Sequence, residues 1–213
     1  MLTACSPSEP PLEVALLAIP ASTVSYQLPG SPATYDEHVA AFSIMQRQVS
    51  QAEDLPATGL SWLDAQAYAA WLSHQTGQFF RLPDYPEWVA AAGEAFVQDQ
   101  AIVDNLANPA QRWLQEYEQE ARRGPLSKTL LTFAEQERNN AGLLNISGNV
   151  WEWTQTCFGQ SPGLSAGEGF CGVRIAAGRH ASALSDFVRD PIAGACSVGT
   201  PPAHLGLRLV VEN

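Results

Sequence analysis

Apolar residues near both ends of the chain form short runs separated by turn-forming residues. One run spans residues 14–19 and another spans 40–45, and Gly30 and several prolines lie between them. Short apolar runs bounded by glycine and proline are typical of strands joined by turns. The chain after Gly142 again has short apolar runs and long loops, without internal repeats. We therefore predict short strands in both regions.

The middle of the chain carries start signals for two helices. Ser61 is followed three residues later by Asp64, the spacing of a capping box, in which side chains satisfy free N–H groups of the first turn. Asp84 and Glu87 repeat that spacing, and Pro86 between them is tolerated in a first turn. The apolar positions of the first helix fall on one face, at Trp62, Ala65, Ala69 and Leu72.

A third helix is predicted over residues 108–123, starting at Asn108-Pro109 and ending before Gly124. The six tryptophans, 16 glycines and 15 prolines predict a loop-rich fold that aromatic side chains hold together. With 213 residues, the chain is long enough for one domain with a substantial core. We place this domain at residues 13–213 and assign residues 1–12 to a lipobox remnant and linker.

The net charge of −11 argues against nucleic acid as a partner and against docking on anionic lipid through charge. No stretch is long and apolar enough to span a bilayer. Leu2-Thr3-Ala4-Cys5 has the form of a bacterial lipobox, and a proline-rich tether follows it. Since only Met1 precedes this sequence, the interpretation assumes that an export signal has been removed. It predicts lipid attachment at Cys5 and a location in the bacterial periplasm, with membrane contact only through that lipid.

Glu152 is an unusual carboxylate because it lies between Trp151 and Trp153. A carboxylate among large apolar side chains is costly unless a cation or hydrogen-bond donors satisfy it. One interpretation is a single structural calcium site, since calcium prefers oxygen ligands. The side chains or carbonyls of four residues would supply it: Asn145, Gly148, Val150 and Glu152. The alternative is a buried turn in which Glu152 accepts hydrogen bonds from backbone amides.

Four motifs, in order along the chain, resemble those of the formylglycine-generating enzyme (sulfatase-modifying factor) family. They lie at residues 55–65 (LPATGLSWLDA), 81–88 (RLPDYPEW), 142–153 (GLLNISGNVWEW) and 205–210 (LGLRLV). The resemblance implies an α+β, C-type-lectin-like fold, loop-rich, with few short strands and two to four helices. It also implies a disulfide flanking a glycine-rich loop, Cys157 with Cys171, with Cys171–Cys196 as the alternative.

The chemistry of the family's enzymes is not expected here. Those enzymes bind copper through two cysteines, and counting back from Gly206 places these positions at Ser185 and Asp190. Neither side chain binds Cu(I) as a thiolate does. Related sulfoxide synthases hold iron with histidines, but the four histidines here are scattered: His38, His74, His180 and His204. We therefore expect neither copper nor iron.

The segment that forms the active groove in those enzymes is here charged and polar. It contains Arg174 and six candidate ligand-binding residues: Arg179, His180, Ser185, Asp186, Arg189 and Asp190. One hypothesis is a groove rebuilt for an acidic or polar ligand, with Arg179 making forked contacts. The alternative is that these residues pair with one another, for example Arg189 with Asp186 or Asp190, and hold loops together.

These inferences favour a non-catalytic binding or accessory protein that recognises a protein or peptide partner in the periplasm. It would act as a regulator or maturation helper of an envelope or respiratory complex. A second hypothesis is an oxidoreductase with an atypical metal site, involving Cys196 and His180 or His204. A third is a retroelement-type ligand-binding receptor, although residues 176–205 lack the asparagine and tyrosine typical of variable segments.

Overall fold

The computed structural model describes residues 12–28, 33–51, 54–97, 129–135, 137–146, 148–157, 174–178 and 204–212. Nine strands and two α-helices lie in these ranges. Near the amino terminus are β1 (Leu16–Ile19), β2 (Ser22–Gln27), β3 (Thr34–Val39) and β4 (Phe42–Met45). The middle holds α1 (Trp62–Thr76), β5 (Phe80–Arg81) and α2 (Tyr85–Ala92). The carboxyl-terminal part holds β6 (Trp151–Cys157), β7 (Arg174–Gly178), β8 (Leu205–Gly206) and β9 (Val210–Val211).

The strands form three sheets. The first is antiparallel, in the order β1-β4-β9-β5, so the last strand of the chain lies between two strands from its first half. The second is the β2–β3 hairpin, and the third has the order β7-β6-β8, with β8 parallel to β6. The predicted strand at residues 14–19 is observed as β1, and the run at 40–45 contains β4. The β2–β3 hairpin, which the sequence did not single out, has the alternating burial of a sheet with one covered face.

Both predicted helix starts are observed. The Ser61 hydroxyl accepts from the Asp64 N–H at 3.1 Å, and the Asp64 carboxylate accepts from the Ser61 N–H at 2.9 Å, which completes the predicted capping box. Gly77 ends α1 in the left-handed conformation, at φ 71°. At α2, the Glu87 carboxylate accepts from the Asp84 N–H at 2.8 Å. The predicted helix at 108–123 lies outside the described residues.

The core has two parts. One lies between α2, the β2–β3 hairpin and β4, around Trp88 and Ile44. The other lies between α1 and the carboxyl-terminal strands, around Leu72 and Trp153. On the predicted apolar face of α1, Ala65, Ala69 and Leu72 are buried, whereas Trp62 is half-buried. In the described residues, no helix is long and apolar enough to cross a membrane.

Candidate functional site

Glu152 is buried in the centre of the molecule, and its counter-ion is Arg208. The two residues are 1% and 0% exposed, respectively. Arg208 Nη2 donates to Glu152 Oε1 at 2.9 Å, and Arg208 Nε lies 3.2 Å from Oε1 and 3.1 Å from Oε2. A buried charge is stable only when it is paired and hydrogen-bonded. Arg208 therefore supplies the positive charge that the surroundings of Glu152 require.

The other donors of Arg208 bind backbone carbonyls from distant parts of the chain. Its Nη1 donates to the carbonyls of Met45 at 3.1 Å and Gln46 at 2.8 Å. Its Nη2 also donates to the Leu144 carbonyl at 2.7 Å. Every nitrogen of this guanidinium is thus used, and the side chain joins the end of β4, the segment before β6 and the carboxyl-terminal region.

Two more side chains complete the environment of the Glu152 carboxylate. Gln48 Nε2 donates to Oε1 at 2.6 Å, and the Trp88 indole N–H donates to Oε2 at 3.0 Å. The donors are thus side chains rather than the backbone amides of the alternative interpretation. Sequence reasoning did not identify Arg208 as the partner. One feature of the sequence could have pointed to Arg208, since it is the single charged residue in the apolar run 205–211.

The predicted calcium ligands are only partly available in this arrangement. Glu152 faces Arg208, Gln48 and Trp88, which occupy its oxygens with protein donors. Asn145 differs, since it is buried at a positive φ of 55° and its side-chain nitrogen has no hydrogen-bond partner in the part of the chain that the structure describes. Amide oxygen and nitrogen are assigned from their partners, so this side chain can present its oxygen instead. Asn145 thus fits a calcium ligand better than Glu152 does, and the calcium site stays a prediction.

A second polar cluster, which we call the Arg174 corner, consists of Trp62, Asp84, Gln155 and Arg174. The Arg174 guanidinium carbon lies 4.2 Å from the centre of the Trp62 ring, a cation–π contact. Arg174 Nη1 also donates to the Gln155 carbonyl. Burial lowers the pKa of the Arg174 guanidinium, and the nearby Asp84 carboxylate raises it. Arg174 stays charged at any physiological pH, because arginine ordinarily titrates far above it.

Strand β6 positions this corner by holding the starts of both helices. The Trp62 indole N–H, at the start of α1, donates to the Thr154 carbonyl at 3.1 Å. The backbone N–H of Tyr85, at the start of α2, donates to the Thr156 hydroxyl at 2.8 Å. Arg174 begins β7 and lies opposite Cys157 in the register of β6 and β7. The starts of α1 and α2, the end of β6 and the start of β7 therefore lie together at the Arg174 corner.

Arg81 holds the Glu87 carboxylate, which also accepts a hydrogen bond from the Asp84 N–H. Its Nη1 and Nη2 donate to the two Glu87 oxygens at 2.7 Å each, and its Nε donates to Glu212 at 3.0 Å. These bonds raise the pKa of the Arg81 guanidinium, the pairing with Glu87 most strongly. The Asp84 pKa is raised by burial and by Glu87, while Arg81 and Arg174 lower it. The Asp84 carboxylate is thus influenced by one like charge, Glu87, and by two opposite charges, Arg81 and Arg174.

Most of the predicted groove lies outside the described residues. This applies to all six of its candidate ligand-binding residues: Arg179, His180, Ser185, Asp186, Arg189 and Asp190. Arg174 is the described member of that polar segment. Cys5, Cys171 and Cys196 also lie outside the described ranges. Cys157 is disulfide-bonded, and its pairing with Cys171 stays a prediction.

The chain matches the sequence profile of the sulfatase-modifying factor enzyme 1-like domain over residues 20–213. It therefore belongs to the formylglycine-generating enzyme family, as its motifs predicted. One relative is the mouse (Mus musculus) protein "Inactive C-alpha-formylglycine-generating enzyme 2", which is 31% identical over 110 residues. That match covers 49% of this chain and 33% of the mouse protein, so the chain spans about a third of that relative.

Solved structures show the same fold at low sequence identity. PvdO from Pseudomonas aeruginosa is 18% identical with a TM-score of 0.60, covering 93% of this chain and 94% of PvdO. Treponema denticola variable protein 1 is 17% identical with a TM-score of 0.59, over 93% of this chain and 95% of that protein. CarF is 18% identical with a TM-score of 0.53, over 94% and 99% of the two chains. The α+β, loop-rich architecture is thus that of the family's C-type-lectin-like fold.

Proposed function

We propose that this chain is a non-catalytic member of the formylglycine-generating enzyme family that binds a protein or peptide partner. The observation that carries the proposal is the residue pair Ser185 and Asp190, which stand where the family's copper-binding cysteines are expected. Copper(I) requires soft thiolate ligands, which neither residue provides. The mouse relative whose name begins "Inactive" supports the view that the family contains such members.

The scaffold that would present a binding surface is retained although those cysteines are absent. The Glu152–Arg208 pair joins three separated segments of the core, and β6 holds the starts of both helices near the Arg174 corner. A rigid scaffold with ligand-facing loops is sufficient for recognition, because binding does not require a redox centre. Loss of the chemistry together with retention of this scaffold favours recognition as the function.

The proposed setting is the bacterial periplasm, with the protein attached to a membrane through a lipid on Cys5. The Leu-Thr-Ala-Cys sequence and the tether after it support this part of the proposal. There the protein would serve as a regulator or maturation helper of an envelope or respiratory complex. Metabolic labelling with a fatty acid tests the anchor in the exported full-length protein. Label in the wild type but not in Cys5→Ser is expected, and label in both would contradict the assignment.

Loss of catalysis is tested by supplying copper(I), oxygen and a peptide containing the family's substrate cysteine. A catalytically active family member serves as the positive control. We expect no aldehyde in the peptide by mass spectrometry, whereas stoichiometric conversion would contradict the proposal. A variant with cysteines at both positions, Ser185→Cys/Asp190→Cys, shows whether the absence of the two copper ligands alone explains the lack of peptide conversion.

Partner binding is tested by crosslinking the tethered protein in envelope extract. The double variant Arg179→Glu/Asp190→Arg reverses two charges of the predicted groove and is the matched control. A partner that crosslinks to the wild type and is lost in the control would support recognition through the groove. A wild-type protein that crosslinks no partner above background would contradict the proposed function.

A further inference from the structure

Arg174 is held firmly in place but only part of its hydrogen-bonding capacity is used. One face of its guanidinium lies on the Trp62 ring, and Nη1 donates to the Gln155 carbonyl. Within the described parts of the chain, its Nε and Nη2 groups make no hydrogen bond or ion pair. One complete edge of this half-buried arginine therefore has no partner among the described residues.

That edge has the geometry that carboxylates select. The Nε–H and one Nη2–H point in parallel, so they can donate to the two oxygens of one carboxylate. The ring beneath the guanidinium is itself fixed, because the Trp62 indole N–H is bonded to the Thr154 carbonyl at 3.1 Å. A cation that is already oriented loses less conformational entropy when a ligand binds.

Other arginines of this acidic chain already have carboxylate partners. Arg47 pairs with Asp54 at 2.8 Å, Arg81 pairs with Glu87 at 2.7 Å, and Arg208 pairs with Glu152 at 2.9 Å. Arg174 is close enough to Asp84 for each to shift the pKa of the other, but the two do not form a direct ion pair. Among the described residues, its charge therefore has no carboxylate bonded directly to it.

We propose that Arg174, stacked on Trp62, is a carboxylate-binding subsite that holds an acidic residue or the carboxyl terminus of a peptide. This inference rests on the proposed recognition of a protein or peptide partner. Asp84 lies beside the subsite and would accept a hydrogen bond from the peptide backbone next to the bound carboxylate. A peptide with both groups would therefore fit better than a simple carboxylate ion.

The test uses three peptides of twelve residues that share one sequence of small uncharged residues. The first is blocked at both ends and has a central glutamate, the second has glutamine there, and the third has glutamine and a free carboxyl terminus. Affinities are measured by calorimetry at low salt with the wild type, Arg174→Lys and Arg47→Lys. Arg47 is a matched control because it also lies over an aromatic ring, 4.8 Å from the centre of Phe133, but pairs with Asp54.

We expect at least one carboxylate peptide to bind the wild type about tenfold more tightly than the blocked glutamine peptide. Preference for the first peptide would identify an acidic side chain as the ligand, and preference for the third would identify a carboxyl terminus. Arg174→Lys should lose most of this preference, because lysine cannot make the forked contact, while Arg47→Lys should keep it. Equal affinity of the wild type for all three peptides, or an unchanged preference in Arg174→Lys, would overturn the subsite.

Two further measurements separate failure of the subsite from other failures. Should Arg174→Lys unfold, the Nε–H resonance of Arg174 in the wild type is followed by NMR. This resonance must shift on addition of a carboxylate peptide but not on addition of the blocked glutamine peptide.

The crosslinking experiment is repeated with Arg174→Lys. A partner captured equally by both proteins leaves the proposed function intact and counts against the subsite. A carboxylate preference without any captured partner supports the subsite and contradicts the proposed function.

Discussion

Arg208 and Arg174 place the same side chain in two contrasting environments. Arg208 is buried, and all its nitrogens bind Glu152 or backbone carbonyls of two separate segments. Arg174 is half-buried and rests on Trp62, and within the described ranges it uses one nitrogen in a hydrogen bond. A fully used guanidinium stabilises a fold, whereas a partly used one can still bind a ligand. The number of donors that each guanidinium commits, rather than the residue type, separates the structural role of Arg208 from the ligand-binding role that we propose for Arg174.

The largest expected effect comes from removing one charge of the buried pair. Arg208→Met leaves the Glu152 carboxylate buried without its cation, and should lower the free energy of unfolding by about 3–5 kcal/mol. Urea denaturation followed by tryptophan fluorescence measures this change. Arg174→Met should cost much less, since it leaves no buried charge unpaired.

The double variant Arg208→Met/Glu152→Gln tests whether the cost arises from the orphaned charge. It should be less destabilised than the sum of the single variants, because the two changes remove an interaction between neighbours. Additive effects would show that the two residues act independently, which would contradict the central role we assign to the pair.

The second prediction concerns the strand end that carries Arg174, where Cys157 lies opposite it in the register. Cys157→Ser should lower the free energy of unfolding by about 2–5 kcal/mol, because a disulfide restricts the unfolded chain. The partner follows from thiol counts under denaturing conditions. If Cys157 pairs with Cys171, Cys157→Ser should raise the thiol count by one and Cys196→Ser should lower it by one. The opposite result for these two variants would support Cys171–Cys196, and Cys171→Ser should raise the count in either case.

The third prediction separates calcium binding from the Glu152–Arg208 pair. If the predicted site exists, calcium at one hundred times its Kd should stabilise the protein by about 2.7 kcal/mol, and a chelator should remove that gain. Asn145→Gly should abolish the calcium response with little loss of stability in chelator, because glycine tolerates the positive φ and the Arg208 contacts remain. Thermal melting with and without calcium measures both. An identical melting temperature of the wild type in calcium and in chelator would eliminate the site.

The smallest expected effect concerns the helix start that positions Trp62. Hydrogen bonds from the Ser61 side chain and backbone hold the pKa of the Asp64 carboxyl below its ordinary value. A lowered folded-state pKa contributes stability above the unfolded pKa of about 3.9, and that contribution disappears as pH falls through the folded value. Asp64→Asn should therefore reduce stability more at pH 7 than at pH 2, as measured by urea denaturation. An equal loss at both pH values would exclude the ionised capping box.

The sequence predicted those parts of the fold that depend on neighbouring residues. Ser61 and Asp64 are three positions apart, so their reciprocal hydrogen bonds could be inferred before the tertiary structure was known. The ordered motifs also predicted the family and its fold. The unusual position of Glu152 correctly indicated a carboxylate that needs partners. Its proposed metal set remains a prediction, and the groove residues from Arg179 to Asp190 lie outside the described ranges.

The tertiary structure decided which distant residues meet. Glu152 and Arg208 are 56 positions apart, and they pair because β9 lies between β4 and β5 and brings the end of the chain into the core. Arg174 lies on Trp62 because β6 binds the start of α1 on one side and β7 on the other. Local hydrogen bonds can be inferred from spacing in the sequence, whereas contacts between distant residues depend on how strands and helices pack. The sequence by itself therefore determined the family and the helix starts, and packing determined that Arg208 is buried against Glu152 while Arg174 lies on Trp62.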